Sequence, residues 1–451
     1  MKIRRWPAHQ IVWRWHFYAG LFCIPFILLL AVTGGIYLFK PQMESALDAP
    51  FERLVLTGHA VPAHQQVQAA LHAMPGAVLQ AYELPESAQS AVRILVKQDR
   101  IISRVYMHPQ TLQILKVVRE DDKFMRVIHR LHGNLLLGQR GSYVVELAAS
   151  WAIVMVITGL YLWWPKAGQG LAGVVYPRIG KSSRVFWRDL HGVIGFWISF
   201  FTLFLLISGL PWTKSWGGML KEIRQVSAVT VKTQDWTIGG VAAGEHDGHH
   251  MQSHGQYAAQ DYRLLDQLVA TVKPMHLAPP VLIAPPSDKS NDWTARSDAQ
   301  NRPLRVNLSF DASGNIKNRQ NFADRPLLDR VIGIGVAIHE GQMFGWLNQL
   351  LGLITALGLM TLSLSALVLW WKRRWAQASS PRTLGAPPLG KASAPYAWAM
   401  IALILTLGVL LPFFGLSLLL MLLIERWVMP FFPTTANYLG LGRTNYVAQI
   451  K

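Results

Sequence analysis

Five runs of this chain, at 17–39, 144–164, 193–212, 346–371 and 397–427, stay apolar for about 20 residues or more. A hydrocarbon core about 30 Å thick takes about 20 residues of α-helix, so each run is long enough to cross a membrane. The predicted fold class is therefore a mainly α integral membrane helical bundle of about five spans. Composition points the same way: 51% of the 451 residues are hydrophobic and 15% charged, against about 25% charged in ordinary soluble domains. The last run carries Pro412, which removes a helical hydrogen bond and predicts a kink, a tilt or a split.

Orientation follows from the bases, because Lys and Arg in short loops are retained on the cytoplasmic side. Lys2, Arg4, Arg5 and Arg14 precede the first run; Lys166, Arg178, Lys181, Arg184 and Arg188 follow the second; Lys372, Arg373, Arg374, Arg382 and Lys391 follow the fourth. A single acid, Asp189, stands against them, so most of the net charge of +18 is a topology signal and calls for no nucleic-acid partner. The N-terminus in 1–39 and the loops 165–190 and 372–396 are predicted inside. The segments 40–142 and 213–345 and the tail 428–451 are predicted outside, joined through spans within 143–164, 191–212, 346–371 and 397–427. The first run is too long for a signal peptide and lacks a small-x-small pattern before Pro41, so it reads as a retained anchor. Cys23, the only cysteine, permits no internal disulfide and reads as packing.

Each outer segment reads as a helix followed by strands, a small α+β module. In the first, 63–73 has helical spacing and 78–84, 91–97, 101–108 and 112–119 are β-branched runs. In the second, 262–272 is the helix and 281–284, 292–297, 304–310 and 315–320 are shorter strands, with a hairpin signal at Asp311-Ala312-Ser313-Gly314.

This likeness extends into the membrane part as an internal repeat. His16 is followed at matching offsets by Gly20 and Thr33-Gly34, as His191 is by Gly195 and Ser208-Gly209. His132 is followed by Gly138, Thr158 and Trp163-Trp164, as His339 is by Gly345, Ser365 and Trp370-Trp371. Matching spans cross in the same direction, so the repeat is a parallel one about an axis along the membrane normal. Such an axis carries His16 onto His191 near the inner surface and His132 onto His339 near the outer surface. Two imidazoles opposed across an axis are what a low-spin haem iron needs at its axial positions. The expectation is two haems of b type, since no Cys-x-x-Cys-His attachment motif exists. Gly20, Gly34, Gly195 and Gly209 would let the macrocycle approach the helices. Arg14 and Arg188 inside, and Arg130 and Arg330 outside, would pair with propionates. His129 is an alternative outer ligand or a substrate contact; the repeat aligns it with Val336, which favours His132.

Other signals are weaker. His246, His249, His250 and His254, with Met251 among them, form a His-rich loop that reads either as an accessory metal site or as a tract with incidental affinity. Glu146, near the outer end of the second span, reads either as a proton relay or ligand contact, or as a residue that caps or solvates that helix end. Trp151, Trp163, Trp164, Trp212, Trp346, Trp370 and Trp371 mostly read as interface belts. There is no Rossmann glycine fingerprint, P-loop or Ser-His-Asp spacing.

Trp13-Arg14-Trp15-His16 opening a span that closes in Thr33-Gly34-Gly35, Leu131-His132-Gly133 before a span ending Thr158-Gly159-Leu160-Tyr161-Leu162-Trp163-Trp164, and Trp187-Arg188-Asp189-Leu190-His191-Gly192 resemble the PepSY-associated transmembrane proteins. That family is often described as iron-regulated and includes inner-membrane ferric-siderophore reductases. The resemblance covers nearly the whole chain, the outer segments corresponding to PepSY-type modules. It implies a Gram-negative inner membrane and reduction of Fe(III) in a periplasmic ferric siderophore, with electrons from a quinol or a cytoplasmic reductase passed through two haems. The run 397–427 is a departure that the repeat does not explain. Two rival readings stay open: a haem-free transporter or assembly factor for metal uptake, and a haem protein reducing another periplasmic acceptor such as copper.

Overall fold

The computed structural model describes residues 9–165, 170–226, 262–287, 291–376, 384–387 and 397–441. They fall into two compact units, one of 1–35, 130–227 and 350–451, the other of 36–129 and 228–349. Element order displays the repeat. A long helix α1 (His9–Leu38), short helices α2 (Lys40–Asp48) and α3 (Ala63–Ala73), strands β1 (Val78–Glu83), β2 (Val92–Gln98), β3 (Ile101–Met107) and β4 (Ile114–Arg119), then α4 (Phe124–Asn134) and α5 (Gly138–Trp163) make the first half. The second half runs α6 (Ser183–Gly209), α7 (Lys214–Val226), α8 (Leu264–Val272), β5 (Val281–Ala284), β6 (Trp293–Ser297), β7 (Val306–Phe310), β8 (Ile316–Asn321), α9 (Leu327–His339) and α10 (Trp346–Ala376). The chain closes with α11 (Ala397–Leu410), α12 (Pro412–Leu423) and α13 (Pro433–Tyr438).

The first unit is the membrane bundle. Among the described residues, five helical segments are long and apolar enough to span: His9–Leu38, Gly138–Trp163, Ser183–Trp212, Trp346–Trp375 and Pro412–Phe431. Side chains such as Phe200, Ile207 and Leu357 point outward, as a lipid-facing surface requires. Cys23 is fully buried with Ala19, Leu210 and Phe414, in keeping with a packing role. Trp151 departs from the expected interface belt. It lies in this core, stacked near Trp15 and donating from Nε1 to Ser417 Oγ at 3.0 Å. The large ring fills the bundle interior because its one polar atom finds an acceptor there.

The fifth run is not one straight span. Leu411 leaves the helical region and Pro412 starts a new helix, where its missing N–H costs nothing. Gly408 and Gly415 then meet: a Cβ on Gly415 would stand 2.6 Å from Gly408 O. Seven residues apart in a continuous helix they would be about 10 Å distant, so the chain has reversed. Trp216 Nε1 donates to Leu410 O at the turn (3.1 Å). At the other end of the bundle, Arg14 Nη2 donates to Gly440 O (2.8 Å), Tyr18 to Leu439 O, and Leu384 N to Tyr438 O (2.8 Å). The expected external tail is thereby corrected: the described C-terminal residues return to the end of the bundle that holds Arg14.

The second unit is a single eight-stranded antiparallel sheet ordered β4-β3-β2-β1-β5-β6-β7-β8. The two outer segments were expected as separate modules, but their inner edges pair, with Tyr82 opposite Ile283 and Glu83 opposite Leu282. Each four-stranded meander has an unpaired edge, and joining β1 to β5 satisfies both. On one face, α3 and α8 share a core built from Val67, Ala70, Leu265, Leu268, Ile94 and Ile283. His64 N donates to Asp266 Oδ1 at 2.9 Å, linking the two helices. The strands lie within two residues of the runs expected from the sequence. The Asp311 hairpin forms, its carboxylate accepting from Ser313 N and Asn315 N at 2.9 Å.

Candidate functional site

His16 and His191 come together within the membrane bundle. Their ring centres are 6.4 Å apart and their planes nearly perpendicular, at 86°. Two imidazole nitrogens about 2.0 Å from a shared metal, with each ring centre about 1.1 Å behind its nitrogen, would set the centres about 6.2 Å apart. The observed spacing of the ring centres is close to that figure. A fit also needs room beside the rings. Gly20, one turn after His16 on the same helix face, has no other side chain or backbone near its missing Cβ position. Among the described residues no group of three or more His, Cys, Asp or Glu could hold a metal ion.

Both rings are held from neighbouring helices. His16 Nδ1 is 3.0 Å from Thr158 Oγ1 of α5, and His191 Nδ1 is 3.0 Å from Ser365 Oγ and 3.1 Å from Leu362 O of α10. His132, near the end of α4, repeats the arrangement with Thr33 Oγ1 of α1 at 3.0 Å. Glycines make these approaches possible: a Cβ on Gly159 would stand 3.1 Å from His16 Cε1, and one on Gly34 3.2 Å from His132 Cε1. His339 closes α9 and belongs to the other unit.

His129 lies in that second unit too. Its ring centre is 5.6 Å from that of Tyr37, and its Nδ1 is buried without a hydrogen-bond partner among the described residues. Burial, with the Arg126 charge, pushes its pKa down to about 4 despite the opposing pull of Glu340, so the imidazole is neutral at pH 7. Its repeat mate Val336 is buried and carries no such chemistry. Beside this region Arg302 and Glu340 form a buried ion pair at 2.7 Å, with side chains 2% and 3% exposed. Burial raises the Glu340 pKa, but the Arg302 charge outweighs it and holds the carboxyl below its ordinary range.

The expected propionate contacts fare differently. Arg14 is buried and spent on carbonyls, Pro387 O at 2.7 Å and Gly440 O at 2.8 Å, while its guanidinium lies over Tyr18. That corrects its assignment, because a buried guanidinium satisfied by the chain's own carbonyls is not available to a cofactor carboxylate. Arg188 is mostly exposed and bonds Asp189, which also takes a bidentate clamp from Arg178. Arg130 is half-buried and Arg330 exposed. Glu146 is buried in α5 and accepts from the first turn of another helix, α7, through Ser215 N (2.9 Å) and Trp216 N (3.1 Å). His246, His249, His250 and His254 lie outside the described residues.

The pattern of the PepSY-associated TM region matches residues 13–373, which takes in α1 through most of α10 and both histidine-bearing helix pairs. The chain belongs to that family. No curated protein matches the sequence. This PepSY-associated protein carries side-chain contacts that residue-type reasoning passed over. Thr33, Thr158 and Ser365 were visible as matched positions but had no assigned role. The Arg302–Glu340 pair had one faint signal, an acid directly after His339. Nothing local to Arg302, 38 residues earlier, announced its partner.

Proposed function

We propose that this PepSY-associated membrane protein is a di-haem b electron carrier that reduces Fe(III) in periplasmic ferric siderophores. The observation that carries the reading is the 6.4 Å spacing of the His16 and His191 rings inside an apolar bundle. Intramembrane ionisable groups are costly and mark function. Haem bound at each histidine pair would supply reversible one-electron chemistry. His16 and His191 would hold the inner group, and His132 would serve the outer one. Thr158, Ser365 and Thr33 orient these three rings, and the apolar spans exclude water around them.

The reaction has a simple driving logic. A hard oxygen cage holds Fe(III) far more tightly than Fe(II), so one-electron reduction loosens the metal for uptake. The electron would come from a quinol or a cytoplasmic reductase, and the sheet of the second unit would offer the siderophore its docking surface.

Detergent-purified protein reduced with dithionite and mixed with a ferric siderophore tests this. The expected outcome is reoxidation of the Soret and α bands with stoichiometric Fe(II) trapped by a chelator. A reduced haem spectrum that ferric siderophores leave unchanged, while cupric ion or a quinone reoxidises it, would refute the siderophore assignment.

A further inference from the structure

The same kind of contact holds His16, His191 and His132: the ring Nδ1 lies 3.0 Å from a Thr or Ser hydroxyl of another helix. In each case the hydroxyl proton has a closer or equally good acceptor. Thr158 Oγ1 donates to Val154 O at 2.8 Å, Thr33 Oγ1 to Leu29 O at 2.7 Å and Ser365 Oγ to Leu362 O at 2.9 Å. A hydroxyl has one proton and two lone pairs, so a hydroxyl already donating to its own helix meets the imidazole as an acceptor. The nitrogen facing it must carry the hydrogen. His191 makes this independent of hydroxyl rotation, because Leu362 O lies 3.1 Å from its Nδ1 and a carbonyl can only accept.

We infer that Thr158, Ser365 and Thr33 are positioning residues that fix their histidines as the Nδ1–H tautomer and so leave Nε2 unprotonated for the cofactor iron. This rests on the two-haem reading. The other nitrogen of a ligating histidine commonly donates to a carbonyl or carboxylate, which sets its tautomer and basicity. Here the acceptors are neutral, a hydroxyl in each case with Met155 O also serving His16 and Leu362 O serving His191, which makes the imidazoles weaker electron donors than carboxylate partners would. Two of the three hydroxyls sit next to the glycine against which the ring edge rests. Thr158 precedes Gly159, at whose Cβ position His16 Cε1 would be 3.1 Å away, and Thr33 precedes Gly34, with His132 Cε1 at 3.2 Å. The Thr-Gly dipeptide thus works as a unit, the hydroxyl setting ring rotation and the glycine its depth. The repeat places Ser208-Gly209 at the corresponding position of α6.

The test compares Thr158→Val, which keeps the shape and removes the acceptor, with Thr158→Ser, which keeps the hydroxyl. Three readouts apply: haem dissociation from the His16–His191 site, its midpoint potential, and ¹⁵N spectra of histidine-labelled protein freed of haem. In wild type, His16 should show a protonated Nδ1. Thr158→Val should move the proton toward Nε2, weaken haem binding about 10- to 100-fold and raise the potential, while Thr158→Ser stays close to wild type. Ser365→Ala should act in the same direction on the His191 ring, each ring keeping one backbone carbonyl beside it, Leu362 O for His191 and Met155 O for His16. Unchanged tautomer, affinity and potential in Thr158→Val would overturn the inference while leaving two haems in place. Wild-type protein that takes up no haem would instead overturn the functional reading, and the ¹⁵N spectra would still decide the tautomer.

Discussion

Gly159→Ala separates ligand placement from folding. The added Cβ would stand 3.1 Å from His16 Cε1, at least 0.3 Å inside ordinary van der Waals contact, which begins near 3.4 Å. α5 is a packed span and its backbone moves little, so the imidazole gives way. Ligand positions tolerate about 0.2 Å before metal binding suffers, and the shift also stretches the 3.0 Å contact with Thr158. A loss of about tenfold in haem affinity, about 1.4 kcal/mol, is the expected scale. Helix propensity acts in the other direction, since Ala is favoured over Gly by up to about 1 kcal/mol in a helix interior. The variant should therefore bind haem more weakly while its thermal midpoint stays level or rises. Haem titration of the haem-depleted protein, followed at the Soret band beside thermal unfolding, reads both. Gly133→Ala is the control, because nothing lies within 4 Å of its Cβ position. A haem affinity within twofold of wild type in Gly159→Ala would refute the reasoning about how His16 is held.

Three further outcomes are expected. Glu146→Ala leaves two backbone N–H groups of α7 without their acceptor; it should cost about 1–2 kcal/mol, raise hydrogen exchange in α7 and leave haem content unchanged, whereas loss of a haem would restore a ligand role for Glu146. The depressed pKa of His129 means that the unfolded chain binds the extra proton more readily than the folded one, so its contribution to stability is complete above about 6.5 and is lost as pH falls toward about 4. Denaturant midpoints between those pH values should flatten in His129→Gln, and an unchanged slope would count against a buried neutral imidazole. Reporters fused to either terminus should lie on the same side, a C-terminal fluorescent protein lighting up and a C-terminal phosphatase staying silent; an active C-terminal phosphatase would contradict the reversal at Leu411-Pro412.

How far the sequence carried depends on the range of the interaction. Four spans and both sets of strands are written in local periodicity, and the histidine offsets carried the repeat because each half satisfies the same constraints. The pairing of β1 with β5 had no local signature, since it joins two edges nearly 200 residues apart. Pro412 announced a break, but reversal depends on the close approach of Gly408 and Gly415 and on Arg14 and Tyr18 holding the returning chain. Arg14 misled for a related reason. Its charge suggested an anionic partner, whereas a buried guanidinium is equally served by carbonyls that become neighbours only in the folded bundle. Thr158 and Thr33 were read as part of a spacing rule, and their chemistry emerged only when the hydroxyls were seen against imidazole nitrogens.

The central claim is that paired histidines hold two non-covalent haems, and counting haem per chain tests it most directly. A pyridine haemochrome assay on detergent-purified protein from haem-replete cells should give two b-type haems per chain, falling to one in His16→Ala or His191→Ala. Haem-free wild-type protein, or the same haem count after removal of both His16 and His191, would contradict the account.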